Sequence, residues 1–320
     1  MTRLLTLALL VLFSRAATGQ VSGPKGNLAL PPAETIHRMC QASFEIVEAR
    51  GAGAGVMGAR RWQLKLEDGS TLAVKWKEAP EEGEGWNNSP RLEVAAYEIQ
   101  KLFLDPDDYV VPPVCGRCVP FDTYRVVDDD PEANLPRAKC VFGAFSAWLD
   151  NVREPERAYD PERFSRDRAY AYHFAHLNLL THLIRQHDAR GSNFLMSTDP
   201  ANPQIFSIDN GISFDAMFYN WFAWHLNEVR VGGLERRSVE RLRRVTLADL
   251  EAFGVLEQFH RDADGVYRKV APGLNLDPSK GDRFAADTFQ YGLTEVEIGE
   301  LWQRLQELLK RVDSGRLVLF

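Results

Sequence analysis

The sequence predicts an α+β chain in two lobes, strands first and helices afterwards. Three observations lead there. Between residues 42 and 77 apolar and polar side chains alternate with the two-residue period of strands, broken by turn-forming clusters. From about residue 160 the period lengthens to that of helices. And 320 residues that are 45% hydrophobic can bury one large core or two smaller ones.

Taken in order, the chain opens with one early Arg, an apolar run over 4–13 and the small residues Ala16, Ala17, Thr18 and Gly19. That order predicts a secretory signal over 1–19, cleaved near Gly19. The expected location is therefore extracellular, periplasmic or a secretory-pathway lumen. The run is too short to span a bilayer, and no later stretch reaches spanning length, so no transmembrane segment is expected. A Gly/Pro-containing linker follows over 20–34. "ASFEIVEARGAGAGVMGARRWQLKLEDGSTLAVKWK" then reads as strand, glycine loop, strand, turn and strand, with "EDGS" the hairpin turn. In the third strand Leu72, Val74 and Trp76 face one way, and Ala73, Lys75 and Lys77 the other.

"PRLEVAAYEIQKLFL" places Leu92, Ala95, Ala96 and Ile99 at helical spacing, with Pro90 at the permitted first position. "DYVVPPV", "CVPFDTYRVV" and "AKCVFGAFSAWL" read as further strands. "AYAYHFAHLNLLTHLIRQ" is a long, largely apolar helix. Beyond residue 215 "FYNWFAWHLNEV", "LERRSVERLRRV", "LADLEAFGVLEQFHRD" and "LTEVEIGELWQRLQELLKRVD" read as helices.

A formal net charge of −7 argues against a nucleic-acid binder, which carries a basic surplus. Four cysteines suit an oxidising compartment. They allow three complete connectivities, and Cys115–Cys118 or Cys40–Cys140 are the expected pairings. "CGRC" has no second half to make a zinc site, and it follows "VVPPV" rather than opening a helix that would activate a thiol.

Chemistry gathers in four places. Gly53, Gly55 and Gly58 satisfy G-x-G-x-x-G, but a strand follows where a dinucleotide fold needs a helix. A glycine loop capping a hairpin can instead lay backbone N–H groups over phosphates. In "LAVK", Ala73 and Lys75 share a face, so a small residue can admit a flat base while the ammonium reaches its phosphates. Lys77 on the same side keeps a plain solvated face as the alternative. An acid on the next helix, Glu93 or Glu98, can hold such a lysine. Last, Asp188-x-x-x-x-Asn193 and then Asp209 after "IFSI" supply a carboxylate for an acceptor hydroxyl, with an amide and a second carboxylate for a metal. These hard oxygen donors suit magnesium or manganese. Any one of these could be an ordinary turn. Their joint order favours a phosphoryl-transfer site.

"D-x-x-x-x-N" followed by "I-D-N-G" resembles the atypical kinases of the protein-kinase-like superfamily, in its phosphatidylinositol 3-/4-kinase-like and secretory-pathway (Golgi casein kinase-type) branches. "EVAAYEIQKLF…VVPP" is similar to the regulatory-helix segment of bacterial members. The resemblance covers roughly residues 42–225. It implies a protein-kinase-like fold: a β-rich N-lobe with one regulatory helix over 35–145 and a helical C-lobe over 146–320. It implies ATP with Mg2+ or Mn2+ as cofactors and a hydroxyl-bearing acceptor. Lys75 would grip the α/β phosphates and Glu93 would pair with it. Asp188 would be the catalytic base or positioner, and Asn193 and Asp209 the metal ligands. "Gln186-His187-Asp188" departs from the H-R-D of ordinary kinases, and the glycine loop is Ala-rich. A pseudokinase scaffold, or an enzyme on the same fold that transfers AMP, would use much the same residues.

Other polar clusters have structural readings. His173 and His176 are spaced for a metal but suit helix packing. His187 is placed to orient the loop or cap it. Trp221, Phe222 and Trp224 read as core. The arginines at 236, 237, 241, 243 and 244 form a solvated helix face or a site for an acidic peptide or lipid head group.

Overall fold

The computed structural model describes residues 26–52, 58–83, 85, 88–200, 202–214 and 228–320. The signal segment, Gly53 and Gly55, the three aromatics at 221, 222 and 224, and nearly all of the helix expected over 218–229 lie outside the described residues.

The chain begins with α1 (Pro32–Gln41), which starts inside the expected linker. The strands β1 (Phe44–Gly51), β2 (Arg60–Leu66) and β3 (Thr71–Glu78) follow as their alternation predicts. The β2–β3 turn closes at Gly69, whose φ of 81° needs a residue without a Cβ. Then come α2 (Pro90–Gln100), β4 (Val114–Pro120), the single turn α3 (Phe121–Tyr124) and β5 (Cys140–Ala147). Strand was expected through "DYVVPPV" and "CVPFDTYRVV". Only Val114–Pro120 pairs, because the prolines before it donate no N–H and the chain turns helical after Pro120. The five strands form one antiparallel sheet in the order β1-β2-β3-β5-β4.

β6 (Val152–Arg153), α4 (Pro161–Arg166), α5 (Arg168–Leu183), β7 (Phe194–Ser197) and β8 (Ile205–Ser207) come next. β6, β7 and β8 make a small sheet beside α5. They are followed by α6 (Arg236–Leu242), α7 (Leu247–Glu251), β9 (Glu257–Arg261), β10 (Tyr267–Val270), β11 (Asp282–Ala285), β12 (Thr288–Tyr291) and α8 (Glu295–Asp313). The helix expected through "LADLEAFGVLEQFHRD" stops at Glu251, and β9 starts six residues later. Glu257 and Phe259 are buried on alternate positions, which is the strand period. The result is a second antiparallel sheet, β10-β9-β12-β11, in a region read from sequence as helical.

The first sheet separates two cores. On one face Trp62 and Trp76 stack at 4.7 Å, with Met39 of α1, Tyr124 and Phe145 around them. The other face packs α2 and the C-terminal sheet: Phe142 meets Phe259 at 5.3 Å and Phe289 at 5.1 Å. β4 is pinned to both sides. Cys115 belongs to the first core and bonds Cys40 of α1, while Cys118 belongs to the second and bonds Cys140. Neither expected pairing forms. Residues three apart on a strand point to opposite faces, so Cys115 cannot reach Cys118. The closures span 75 and 22 residues, and each stabilises the fold by about 3–5 kcal/mol in the chain-entropy account. Among the described residues no helix is long and apolar enough to cross a membrane.

Candidate active site

Strand parity brings Ala73, Lys75 and Lys77 to the face of β3 opposite the tryptophan core. The backbone N–H of Trp148, just past β5, donates to the Ala73 carbonyl at 3.2 Å, so Ala73 lies where the chain leaves the first sheet. Gly58, with φ 67°, ends the described part of the glycine loop, whose base is closed by Ala52 N–H donating to the Ala59 carbonyl at 3.0 Å.

The Lys75 ammonium donates to Oδ1 of Asp209, and the Lys77 ammonium is 3.8 Å from the same oxygen. Glu93 of α2 stands 3.9 Å from Lys77 and accepts the backbone N–H of Asn210 at 2.9 Å. The expected partner of Glu93 was Lys75. The structure pairs it with Lys77, which is one period further along the same face and closer to α2. Lys77 and Glu93 are only 7% and 6% exposed, so the plain solvated-face reading does not hold for Lys77. Glu98, the other acid considered, pairs with Lys101 on the helix surface.

The charges are strongly interdependent. Burial pushes the Glu93 carboxyl up from its ordinary value, Lys77 opposes this, and Asp209 adds to it. Burial would also raise Asp209, but the charges of Lys75 and Lys77 outweigh it and hold that carboxyl below the usual range. Asp209 has φ 56°, a left-handed conformation that Asp tolerates better than most residues and that turns its carboxylate toward β3.

The Asp188 loop lies against the Asp209 loop. Buried Gln186 links them: its side-chain amide donates to the Asp209 carbonyl at 3.0 Å and to Asn210 Oδ1 at 3.2 Å, and its Oε1 accepts the Asp188 N–H at 3.1 Å. His187 N–H donates to the Ile212 carbonyl, and Ile208 N–H to the Asn193 carbonyl. Asn193 donates from Nδ2 to the Asp188 carboxylate at 2.7 Å and its carbonyl at 2.9 Å. Arg190 pairs with the other Asp188 oxygen at 2.9 Å. Asn210 is locked by Ser207 Oγ at 2.7 Å and by Ser213 Oγ on its carbonyl at 2.9 Å. A Cβ at Gly211 would lie 3.2 Å from Ser89 N and 3.5 Å from Glu93, so the glycine lets this loop approach the start of α2.

The donor set fits a magnesium or manganese ion. The Asn193 amide nitrogen is fixed by Asp188, which leaves its Oδ1 as an oxygen donor, and the Asp209 carboxylate is partly exposed. Among the described residues no group of three His, Cys, Asp or Glu could close a shell around a metal. A site completed by phosphate oxygens and water is the one such donors form.

Sequence reasoning missed the roles of Lys77, Gln186 and Asn210. Parity had put Lys77 on the right face. Nothing local identifies the joining contacts of Gln186 and Asn210: Gln186 reaches Asp209 and Asn210 across more than twenty residues, and Asn210 N–H reaches Glu93 of α2. His173 and His176 are buried in the helix packing, with His176 Nε2 3.1 Å from Ser238 Oγ. Three of the clustered arginines are used in ion pairs, Arg237 and Arg241 with Asp105 and Arg243 with Asp313.

No protein-family model and no curated protein matches the sequence. Solved structures do match by fold. A hydra Fam20 structure determined with sugar superposes at TM-score 0.54 with 15% identity, covering 90% of this chain and 92% of its own. Two structures of the Golgi casein kinase also match, one with Mn/ADP bound. They give TM-scores of 0.42 and 0.44 at 10% identity, covering 72% and 71% of this chain and 69% and 70% of theirs. The chain therefore has the kinase-like fold expected for it, in the form seen in the hydra Fam20 structure.

Proposed function

We propose that the chain is an exported ATP-dependent phosphotransferase that moves the γ-phosphoryl group to a hydroxyl acceptor with Mg2+ or Mn2+. The observation that carries this is the convergence of Lys75 and Lys77 on Asp209, with Glu93 behind Lys77 and the Asp188–Asn193 pair on the adjoining loop. Two ammonium groups on the central strand of the sheet suit triphosphate oxygens, and Gly58, with Gly53 and Gly55, would cover them. Asp209 and Asn193 Oδ1 would hold the metal, which when bound neutralises phosphate charge. Asp188 would orient the acceptor hydroxyl and take its proton. Glu93 keeps Lys77 forward, and Gln186 keeps the two acidic loops in register.

Both disulfides, and the absence of free thiols, support an oxidising compartment and so a secreted or lumenal protein. The same reading takes 1–19 as signal, 35–145 as N-lobe and 146–320 as C-lobe in chain order. The deciding experiment incubates the protein with γ- or α-labelled ATP, divalent metal and candidate protein, lipid and small-molecule acceptors. Transfer of the γ label is expected. Transfer of the α label would make the enzyme a nucleotidyltransferase, and metal-dependent binding without transfer would make it a pseudokinase scaffold.

A further inference from the structure

Glu93 can serve Lys77 only while α2 stays in place, and besides its core packing α2 is held by a polar contact from the far end of the chain. Arg91, two residues before Glu93, points to the other side of the helix and is 7% exposed. Its guanidinium forks onto Glu297 of α8: Nη1 donates to Oε2 at 2.8 Å and to Oε1 at 3.0 Å, and Nη2 donates to Oε1 at 3.0 Å. The side chain runs through a slot made by glycines. A Cβ at Gly281 would collide with Arg91 Nε, and Nη1 lies 3.4 Å from the Gly292 carbonyl.

Glu297 is itself fixed. Its Oε2 accepts Thr294 N–H at 2.7 Å and Thr294 Oγ1 at 3.1 Å, the capping box that starts α8. Two turns further along α8, Arg304 Nε donates to the Leu183 carbonyl at 2.9 Å. Leu183 is the last residue of α5, directly ahead of the loop that carries Gln186 and Asp188. One rigid helix thus touches both halves of the site: the base of α2 through Glu297 and the root of the Asp188 loop through Arg304. A second buried carboxylate ties the same C-terminal module to the first sheet, since Glu257 accepts the Gly116 N–H of β4 at 2.7 Å and the hydroxyl of Tyr291.

We infer that Arg91 and Glu297 are positioning residues, a latch within the chain that holds α2 with Glu93 against Lys77 and so keeps the nucleotide site assembled without an activating partner or modification. A bidentate guanidinium–carboxylate pair in a largely buried slot has two parallel bonds and one geometry, so it transmits position as well as charge. The inference rests on the phosphotransferase reading, because it assigns the latch to that site.

The test uses the full mature chain and magnesium–ATP as probe, with variants Arg91→Met, Glu297→Gln and the double variant. Leu308→Ala, a core change on α8 away from the latch, serves as a control that lowers melting temperature by a packing loss alone. ATP affinity, KM for ATP, KM for the acceptor and melting temperature are measured below every melting transition. The latch variants should weaken ATP affinity and raise KM for ATP by roughly 5- to 100-fold, the ordinary range of coupling between sites, with acceptor KM unchanged. The double variant should be no worse than Arg91→Met, and Leu308→Ala should bind ATP as the parent does. ATP affinity unchanged in the latch variants, or lost equally in Leu308→Ala, overturns the latch while leaving the phosphotransferase reading standing. Absence of metal-dependent ATP binding in the parent chain overturns that reading and the latch with it.

Discussion

Asp209 and Asp188 are the same residue type on neighbouring loops, but their surroundings assign them different work. Asp209 faces two ammonium groups and stays 39% exposed toward the cleft, whereas Asp188 is engaged by the Asn193 amide and the Arg190 guanidinium. Asp209→Ala should therefore abolish metal-supported nucleotide binding and turnover together. Asp188→Ala should leave nucleotide binding largely intact while turnover falls by about 10²–10⁴-fold, the usual scale for a positioned acid–base group. Titrating a fluorescent ATP analogue with and without magnesium, alongside turnover and melting temperature, separates the two. Identical behaviour of both variants, with activity following only a stability loss of about 0.5–3 kcal/mol, would reduce both residues to turn formers. The sequence offered both aspartates, Asn193 and Lys75 as candidates, each from a short local pattern, and left Glu93 and Glu98 as alternatives; the structure brings Lys75, Glu93 and Asp209 into one cluster with Lys77. The choice of Lys77 as the partner of Glu93 was not legible, because it depends on where α2 docks.

At the scale of elements, α5 shows what burial does to side chains that look functional on paper. His173 and His176 are spaced for a metal, but both are buried, and His176 packs against Ser238 of α6. Burial first, then the neighbouring His176, pushes the His173 imidazole below its ordinary value, so the fold holds it neutral. An unfolded histidine takes up its proton near pH 6.5, about the ordinary value, while the folded one does not. Stability from this residue is thus present above that pH and lost as pH falls toward the depressed folded value, with a slope approaching about 1.4 kcal/mol per pH unit. His173→Gln should flatten the loss of stability between pH 7.5 and pH 5.5. Denaturant midpoints at several pH values test it, and an unchanged slope would mean another group controls acid sensitivity. β9 makes the opposite point. "LADLEAFGVLEQFHRD" has helical spacing on both sides of Gly254, yet the chain breaks there and Glu257–Arg261 pairs with β12 and β10.

The C-terminal module ties the first sheet, α2 and α5 to one another. Residues 257–320 supply a sheet that covers Phe142, a buried carboxylate for β4, and a helix that spans from α2 to the end of α5. A chain ending at residue 256 would expose that aromatic face and lose both anchors. It should show no cooperative thermal transition and should bind a hydrophobic dye, whereas a sharp transition near that of the full chain would mean the module is an accessory. The sequence by itself determined β1 to β3 and α2, the face of β3 that bears Ala73, Lys75 and Lys77, and the choice of Asp188, Asn193 and Asp209 as candidates from the D-x-x-x-x-N spacing and a strand end. All of these follow from periods and spacings within a few residues. Only the tertiary structure decided which cysteines pair, which lysine meets Glu93, and that residues 257–291 form a sheet packed against the first sheet. Each of those depends on contacts between segments far apart in the chain. Burial and strand facing select such contacts, and local sequence does not encode them.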